Sequence, residues 1–122
     1  MRSGVCAIRG ATTFDVDEAP HVTERVVEMV TFMLERNNVA HDDVISLILT
    51  ATNDLHSIFP AAAVRTIGWG DVPMMCAQEL DIESGTPRCI RAMIHCDTDL
   101  SRPELRHVYL HGASNLRDDL PE

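Results

Sequence analysis

The spacing of apolar residues changes along this chain, and that change most constrains its fold. From Asp17 to Asn38 apolar side chains recur at intervals of three and four, which places them on one face of a helix. Asp17 is suited to cap this helix, Pro20 fits its first turn, and Asn37-Asn38 is suited to end it. Val44 to Thr52 is instead β-branched and nearly all apolar, which indicates a central strand covered on both faces.

The remaining segments predict further strands and one short helix. Val5 to Arg9 is expected to form a strand that ends at Arg9, because glycine and threonine residues follow. Pro60 can open a helix through Thr66, and Gly68 can close it. The other predicted elements are strands at Val72 to Leu80, Ile90 to His95 and His107 to Leu110, and a helical turn at Pro103. Interleaved strands and helices predict an α+β (α/β-like) fold in a single domain over residues 1–122.

Composition excludes several classes of partner. The formal net charge of −9 repels phosphate, so we expect no nucleic acid and no anionic membrane as partner. No apolar run approaches the ~20 residues of a membrane-spanning helix. All ten basic residues are arginine, which suits carboxylate recognition, although coding bias explains it more simply. Without C-x-x-C pairs or a signal peptide, we expect free thiols in a reducing cytoplasm at the four cysteines, Cys6, Cys76, Cys89 and Cys96.

The sequence gives little indication of a metal site or of a catalytic nucleophile. His107 and His111 have a metal-like spacing only in a helix, and a strand is predicted there. No nucleophile elbow or phosphate-binding glycine loop occurs, and Cys76 lies in an apolar strand, where a thiol is usually inert. We therefore expect neither a metal nor a cofactor, and arginines at strand ends become the candidate functional groups.

Short motifs occur in an informative order along nearly the whole chain. They are Cys6–Thr13 (CAIRGATT), Asp54–Ala61 (DLHSIFPA), Cys76–Asp81 (CAQELD), Cys89–Arg91 (CIR) and Arg106–Leu110 (RHVYL). Each is weak alone, but together they resemble the monofunctional chorismate mutases of the trimeric α/β class. The resemblance implies a mixed β-sheet with helices packed on one side, assembling as a trimeric pseudo α/β barrel. It further implies a cytoplasmic, cofactor-independent isomerase of aromatic amino acid biosynthesis, which converts chorismate to prephenate at the subunit interfaces of a homotrimer.

The same resemblance assigns roles to individual residues. Arg91 matches the arginine placed against the breaking ether oxygen, and Glu79 matches the acid that receives the substrate hydroxyl. Arg9 matches an arginine that binds a substrate carboxylate, with Tyr109 assisting it. The resemblance thus implies that Arg91, Glu79 and Arg9 are catalytic. The other matched substrate-binding positions are Phe59, Arg65, Cys76 and Arg117.

Two pocket positions depart from the family pattern, and two other functions stay open. Ala62 stands where a lysine is usual and Met75 where a small polar residue is more usual, which bears on substrate affinity more than on the chemistry. One alternative is a trimeric enamine or imine hydrolase that also recognises a carboxylate through an interfacial arginine. The other is a trimer that senses a carboxylated metabolite without turnover. The site residues also have plain structural explanations, such as a strand-end ion pair for Arg9 and a core position for Tyr109.

Overall fold

Five strands form one mixed β-sheet in the structure, a computed structural model that describes residues 4–116. The strands are β1 Gly4–Thr13, β2 Val44–Ala51, β3 Met74–Gln78, β4 Cys89–Thr98 and β5 Val108–Tyr109. The helices are α1 Ala19–Glu35 and α2 Pro60–Arg65, with 3-10 turns at 41–43, 102–104 and 111–113. Their spatial order is β3-β2-β4-β1-β5. The central strand β4 is antiparallel to both neighbours, and each edge strand is parallel to the strand beside it.

The main hydrophobic core lies between the helices and one face of the sheet. The apolar stripe of α1 faces this core, and Met29 and Met33 are fully buried in it. The sheet contributes alternate residues of its strands, such as Ile8 of β1 and Ile94 of β4. Gly10 lets α1 approach closely, because a Cβ at this position would lie 2.4 Å from the sulfur of Met33. The expected mixed sheet with helices on one side is therefore confirmed.

The opposite face of the sheet is largely uncovered within residues 4–116, and we call it the open face. Strand alternation places Arg9, Thr50 and Arg91 on this face. Large apolar side chains on the same face are exposed: Val5, Ile48 and Met75. The open face therefore combines apolar surface with a few charged groups, a composition typical of a surface that another molecule covers.

Strand β1 is longer than the sequence predicted. Gly10 to Thr13 continue the strand because they pair with β4, and Gly10 and Ala11 pair with β5 as well. The prediction that Arg9 ends the strand was therefore wrong, since Arg9 lies in its interior opposite Met93. Gly10 to Thr13 are residue types that favour turns, but their pairing with β4 keeps them extended. The paired residues of β4 lie 76 or more positions further along the chain.

The prediction that β2 is the central strand, covered on both faces, was also wrong. The central strand is β4, and β2 lies beside it. Its burial alternates, with Leu47 and Leu49 buried while Ile48 is exposed, so only one face is covered within the described residues.

Helix α1 begins at Ala19 and not after an Asp17 cap, because the Asp17 carboxylate accepts hydrogen bonds from a distant loop. The short helix that opens at Pro60 is confirmed.

Candidate active site

One row of side-chain positions crosses the open face from edge to edge. Strand pairing aligns Tyr109 of β5 with Ala11 of β1, and Ala11 with Arg91 of β4. It then aligns Arg91 with Thr50 of β2, and Thr50 with Ala77 of β3. Because Ala11 and Ala77 are small, the polar side chains between them rise above their neighbours in the row. The sheet thereby brings together polar groups that are far apart in the sequence.

Arg91 and Glu79 form a bidentate ion pair over this row. Arg91 Nε donates to Glu79 Oε2 at 3.0 Å, and Arg91 Nη2 donates to Oε1 at 2.8 Å. Thr50 Oγ1 also donates to Oε2. Glu79 itself follows β3 and is anchored by its backbone N–H, which donates to the carbonyl of Ala51 at 2.9 Å. Within residues 4–116 the two N–H groups of Arg91 Nη1 have no protein acceptor, so this guanidinium retains donors for a ligand.

The Glu79 carboxyl group is ionised at neutral pH. Burial opposes its ionisation, but the hydrogen bonds from Thr50 and Arg91 and the positive charges of Arg91 and Arg9 outweigh burial. The pKa of Glu79 therefore lies below its ordinary value of 4.5. Glu79 can accept a hydrogen bond and hold a cation in place, but it is not a proton donor near neutral pH. Arg9 lies on the same face, two residues along β1 from Ala11, which is aligned with Arg91.

Tyr109 ends the row with a buried hydroxyl that has no hydrogen-bond partner within the described residues. Its side chain packs with Ala11 and Ala113, and Leu116 lies against them. An unpaired buried hydroxyl costs about 1–3 kcal/mol, so a ligand or a further segment that supplied a partner would be stabilised there. Leu116 is the last described residue, and the predicted substrate-binding Arg117 lies outside the described residues.

Phe59 and Cys76 lie together in a second place, a cleft of about 580 Å³ beside edge strand β3. Both side chains are exposed, and Cys76 lies in β3, the strand in which the sequence predicted it. Arg65 is exposed at the last turn of α2, and Ala62 lies in the same helix. The structure therefore places Arg91 in contact with Glu79, and it places Arg9 on the same face of the sheet, whereas Arg65 lies in α2 on the helix side.

The loop that borders the cleft is held by Asp17. Its carboxylate oxygens accept hydrogen bonds from the backbone N–H groups of His56 at 2.9 Å and Ser57 at 3.0 Å. A hydrogen bond from the Ser57 side chain, together with these two amides, lowers the pKa of Asp17 although its partial desolvation opposes the shift. Asp17 thus shapes the segment that leads to Phe59.

Comparison with known proteins identifies the family. Residues 5–120 match the family model described as chorismate mutase type I. The chain belongs to this family. Chorismate mutase AroH of Bacillus subtilis strain 168 is 41% identical over 114 residues, which cover 93% of this chain and 90% of that protein. Chorismate mutase AroH of Thermus thermophilus is 38% identical over 117 residues, covering 95% and 96% respectively.

A solved chorismate mutase structure has the same fold. Chorismate mutase from Clostridium thermocellum matches with a TM-score of 0.86 at 41% identity, covering 88% of this chain and 96% of that one. The resemblance drawn from the short motifs is thereby confirmed, and the hydrolase alternative loses its support. No group of three or more potential metal ligands occurs within residues 4–116. Neither described helix has the length and apolar character that crossing a membrane requires.

Sequence reasoning missed two residues that contact members of the candidate site. Thr50 supplies a third hydrogen bond to Glu79, and His107 accepts a hydrogen bond from the backbone N–H of Arg9 through Nδ1 at 3.0 Å. Only Thr50 left a signal, since Thr50 and Ser46 are polar residues at alternate positions of a strand whose other residues are apolar. His107 precedes the two-residue strand β5, and nothing in its sequence context indicated this contact.

Proposed function

We propose that Arg91, Glu79 and Arg9 form the catalytic centre at which this chorismate mutase converts chorismate to prephenate. Family membership gives the reaction, and it belongs to aromatic amino acid biosynthesis. The observation that supports the assignment of residues is the bidentate pair of Arg91 and Glu79, which holds a guanidinium on the open face with unused donors.

The reaction is a rearrangement within the substrate, so it requires no catalytic base and no covalent intermediate. An ether C–O bond breaks while a C–C bond forms, and negative charge grows on the ether oxygen. A fixed cation beside that oxygen stabilises the transition state more than the ground state. Arg91 suits this role because Glu79 holds the guanidinium while the N–H groups of Nη1 stay available.

The second requirement is to hold the substrate in its reactive conformation. The two carboxylates of chorismate are the natural handles, and arginine can bind each of them bidentately. We assign one carboxylate to Arg9, with the hydroxyl of Tyr109 as an additional donor. The ionised Glu79 carboxylate suits the substrate hydroxyl as a hydrogen-bond acceptor. Phe59, Arg65, Cys76 and Arg117 are proposed to complete the binding site.

A homotrimer with sites at its subunit interfaces would bring this set together. Arg65 lies on the helix side of the chain, whereas Arg91 lies on the open face, so a single chain does not unite them. A neighbouring copy that covered Val5, Ile48 and Met75 would bury exposed apolar surface and could contribute the missing residues. Light scattering should give a trimeric mass, and a fully active species of 13.5 kDa would contradict the assembly.

The cysteines in the described residues are free thiols, which supports a cytoplasmic location.

The decisive experiment incubates the purified protein with chorismate and follows the loss of its diene absorbance. We expect acceleration that disappears in Arg91→Ala and persists in the matched control Arg102→Ala, because Arg102 is exposed in the 3-10 turn at 102–104 and is not one of the proposed site residues. With no catalytic base to titrate, kcat should be nearly flat across neutral pH and insensitive to chelators. A protein that binds chorismate without turnover would instead support the metabolite sensor, and equal loss in both variants would contradict the role of Arg91.

A further inference from the structure

We propose that Thr50 is a positioning residue, which anchors the Glu79 carboxylate and thereby fixes the Arg91 guanidinium for catalysis. This inference rests on the proposed catalytic role of Arg91 and extends it to a residue that does not touch the reacting atoms. It derives from the place of Thr50 in the sheet and from the oxygen to which its hydroxyl donates.

Thr50 lies on the strand between the two chain segments that carry Glu79 and Arg91. Glu79 follows β3, Arg91 belongs to β4, and β2 runs between these strands. Adjacent strands are about 4.8 Å apart, so the two side chains must meet above β2. Thr50 is the β2 residue aligned with Arg91 and on the same face. Its side chain therefore lies beneath the point where the ion pair forms.

The hydrogen-bond pattern gives Thr50 a function that Arg91 cannot supply alone. A bidentate pair keeps guanidinium and carboxylate coplanar, but both side chains are long and the pair can swing as a unit. Thr50 Oγ1 donates to the same Oε2 that accepts from Arg91 Nε. Because threonine is short and stiff about its first side-chain torsion, this bond ties the pair directly to the backbone of β2. That backbone is paired with strands on both sides.

The remaining support for Glu79 is limited. Its backbone N–H donates to the carbonyl of Ala51, and the chain then turns into a segment where Leu80 and Ile82 are exposed. Loss of a hydrogen bond to a charged group reduces the population of the bonded geometry by about 10- to 100-fold. Since Arg91 still holds the carboxylate, we expect the effect on catalysis to lie near the lower limit of that range.

The experiment compares Thr50→Val, which keeps the shape but removes the hydroxyl, with Thr50→Ser, which restores it. We expect Thr50→Val to lower kcat about tenfold while KM changes by less than about twofold, and Thr50→Ser to recover most of kcat. The matched control is Thr12→Val, a buried threonine of the same sheet whose side chain lies on the helix side. It should leave kcat unchanged. Thr50→Ala also removes the hydroxyl and introduces no new methyl group, so its kcat should fall in the same way if the hydroxyl is what matters.

A double-mutant cycle separates positioning from general structural damage. In a Glu79→Ala background, Thr50→Val should cause little further loss of kcat, because no side-chain acceptor remains at position 79 for the Thr50 hydroxyl to anchor. Equal losses in both backgrounds, a Thr50→Ser variant as impaired as Thr50→Val, or a fully active Thr50→Val would each overturn the role of Thr50. An inactive wild type would overturn the proposed function itself, whereas an active wild type with indifferent Thr50 variants would overturn only this inference.

Discussion

Replacing Arg91 by lysine should remove most of the catalytic power while keeping the positive charge. The guanidinium divides its donors between two tasks, because Nε and Nη2 hold Glu79 at 3.0 and 2.8 Å while Nη1 stays available. A lysine ammonium has three donors on one atom and cannot hold both carboxylate oxygens side by side in this way. The variant must therefore give up either the anchoring of the cation or its contact with the ether oxygen.

The magnitude follows from the loss of one preorganised donor. Such a loss typically reduces kcat by about 10² to 10³, equivalent to about 2.7–4 kcal/mol of transition-state stabilisation. We expect Arg91→Lys to fall within this range, with a smaller change in KM because lysine still attracts an anionic substrate. The assay is the initial rate of chorismate consumption over a range of concentrations, with Arg102→Lys as the matched control.

A different outcome would refute this reasoning. If Arg91→Lys kept kcat within about fivefold of the wild type, a fixed planar donor pair would not be required, and charge alone would explain catalysis. If only KM rose while kcat stayed constant, Arg91 would bind the substrate and transition state equally. Thermal unfolding of the variant would show whether the fold is intact, which is necessary before either result is interpreted.

Three further outcomes can be measured on the same protein. The pKa of Asp17 is lowered on folding, so its contribution to stability is present above its unfolded pKa and disappears as pH falls through the folded value. The stability difference between wild type and Asp17→Asn should therefore shrink in acid, as followed by chemical denaturation, and a constant difference would contradict this. Burial raises the pKa of Cys89 and of Cys96 to about 11, so both should react with iodoacetamide at pH 8 more slowly than an exposed thiol by about 100-fold, measured by mass spectrometry. Gly10→Ala should destabilise the fold by about 1–3 kcal/mol, because the new methyl group would overlap Met33, and an unchanged melting temperature would contradict the close contact.

Helix α1 could be predicted from the sequence because its signal is local. The apolar spacing of three and four directly reports which side of the helix is buried, and the fully buried Val26, Met29 and Met33 follow that spacing. The helix at Pro60 was predictable for a similar reason. Such features depend on neighbours a few positions away and not on the rest of the fold.

The extent of the strands depended on partners that local patterns do not reveal. Gly10 to Thr13 have turn-forming residue types, yet they pair with β4 over a long separation in sequence. Asp17 has the chemistry of a helix cap, yet its acceptors are used by the amides of His56 and Ser57. In both cases a distant contact replaced the structure that the nearest neighbours favoured.

The site could be predicted only through the family resemblance, and only in part. Nothing in the composition places Glu79 against Arg91, because their contact requires β2 to lie between the strands that carry them. The resemblance named both residues, and the structure brings them together. It did not name Thr50, whose role depends on its alignment with Arg91 in the sheet.

The alignment of Arg91 with Ala11 and Thr50 also limits which insertions this protein can tolerate during evolution. Adding or deleting one residue within β4 would invert every following side chain, which would turn a guanidinium into the apolar interior and an isoleucine toward the substrate. The segment between Leu80 and Arg88 has no such constraint, because it is irregular and mostly exposed. Length variation among descendants of this sequence should therefore accumulate in that loop and be absent from the strand that follows it.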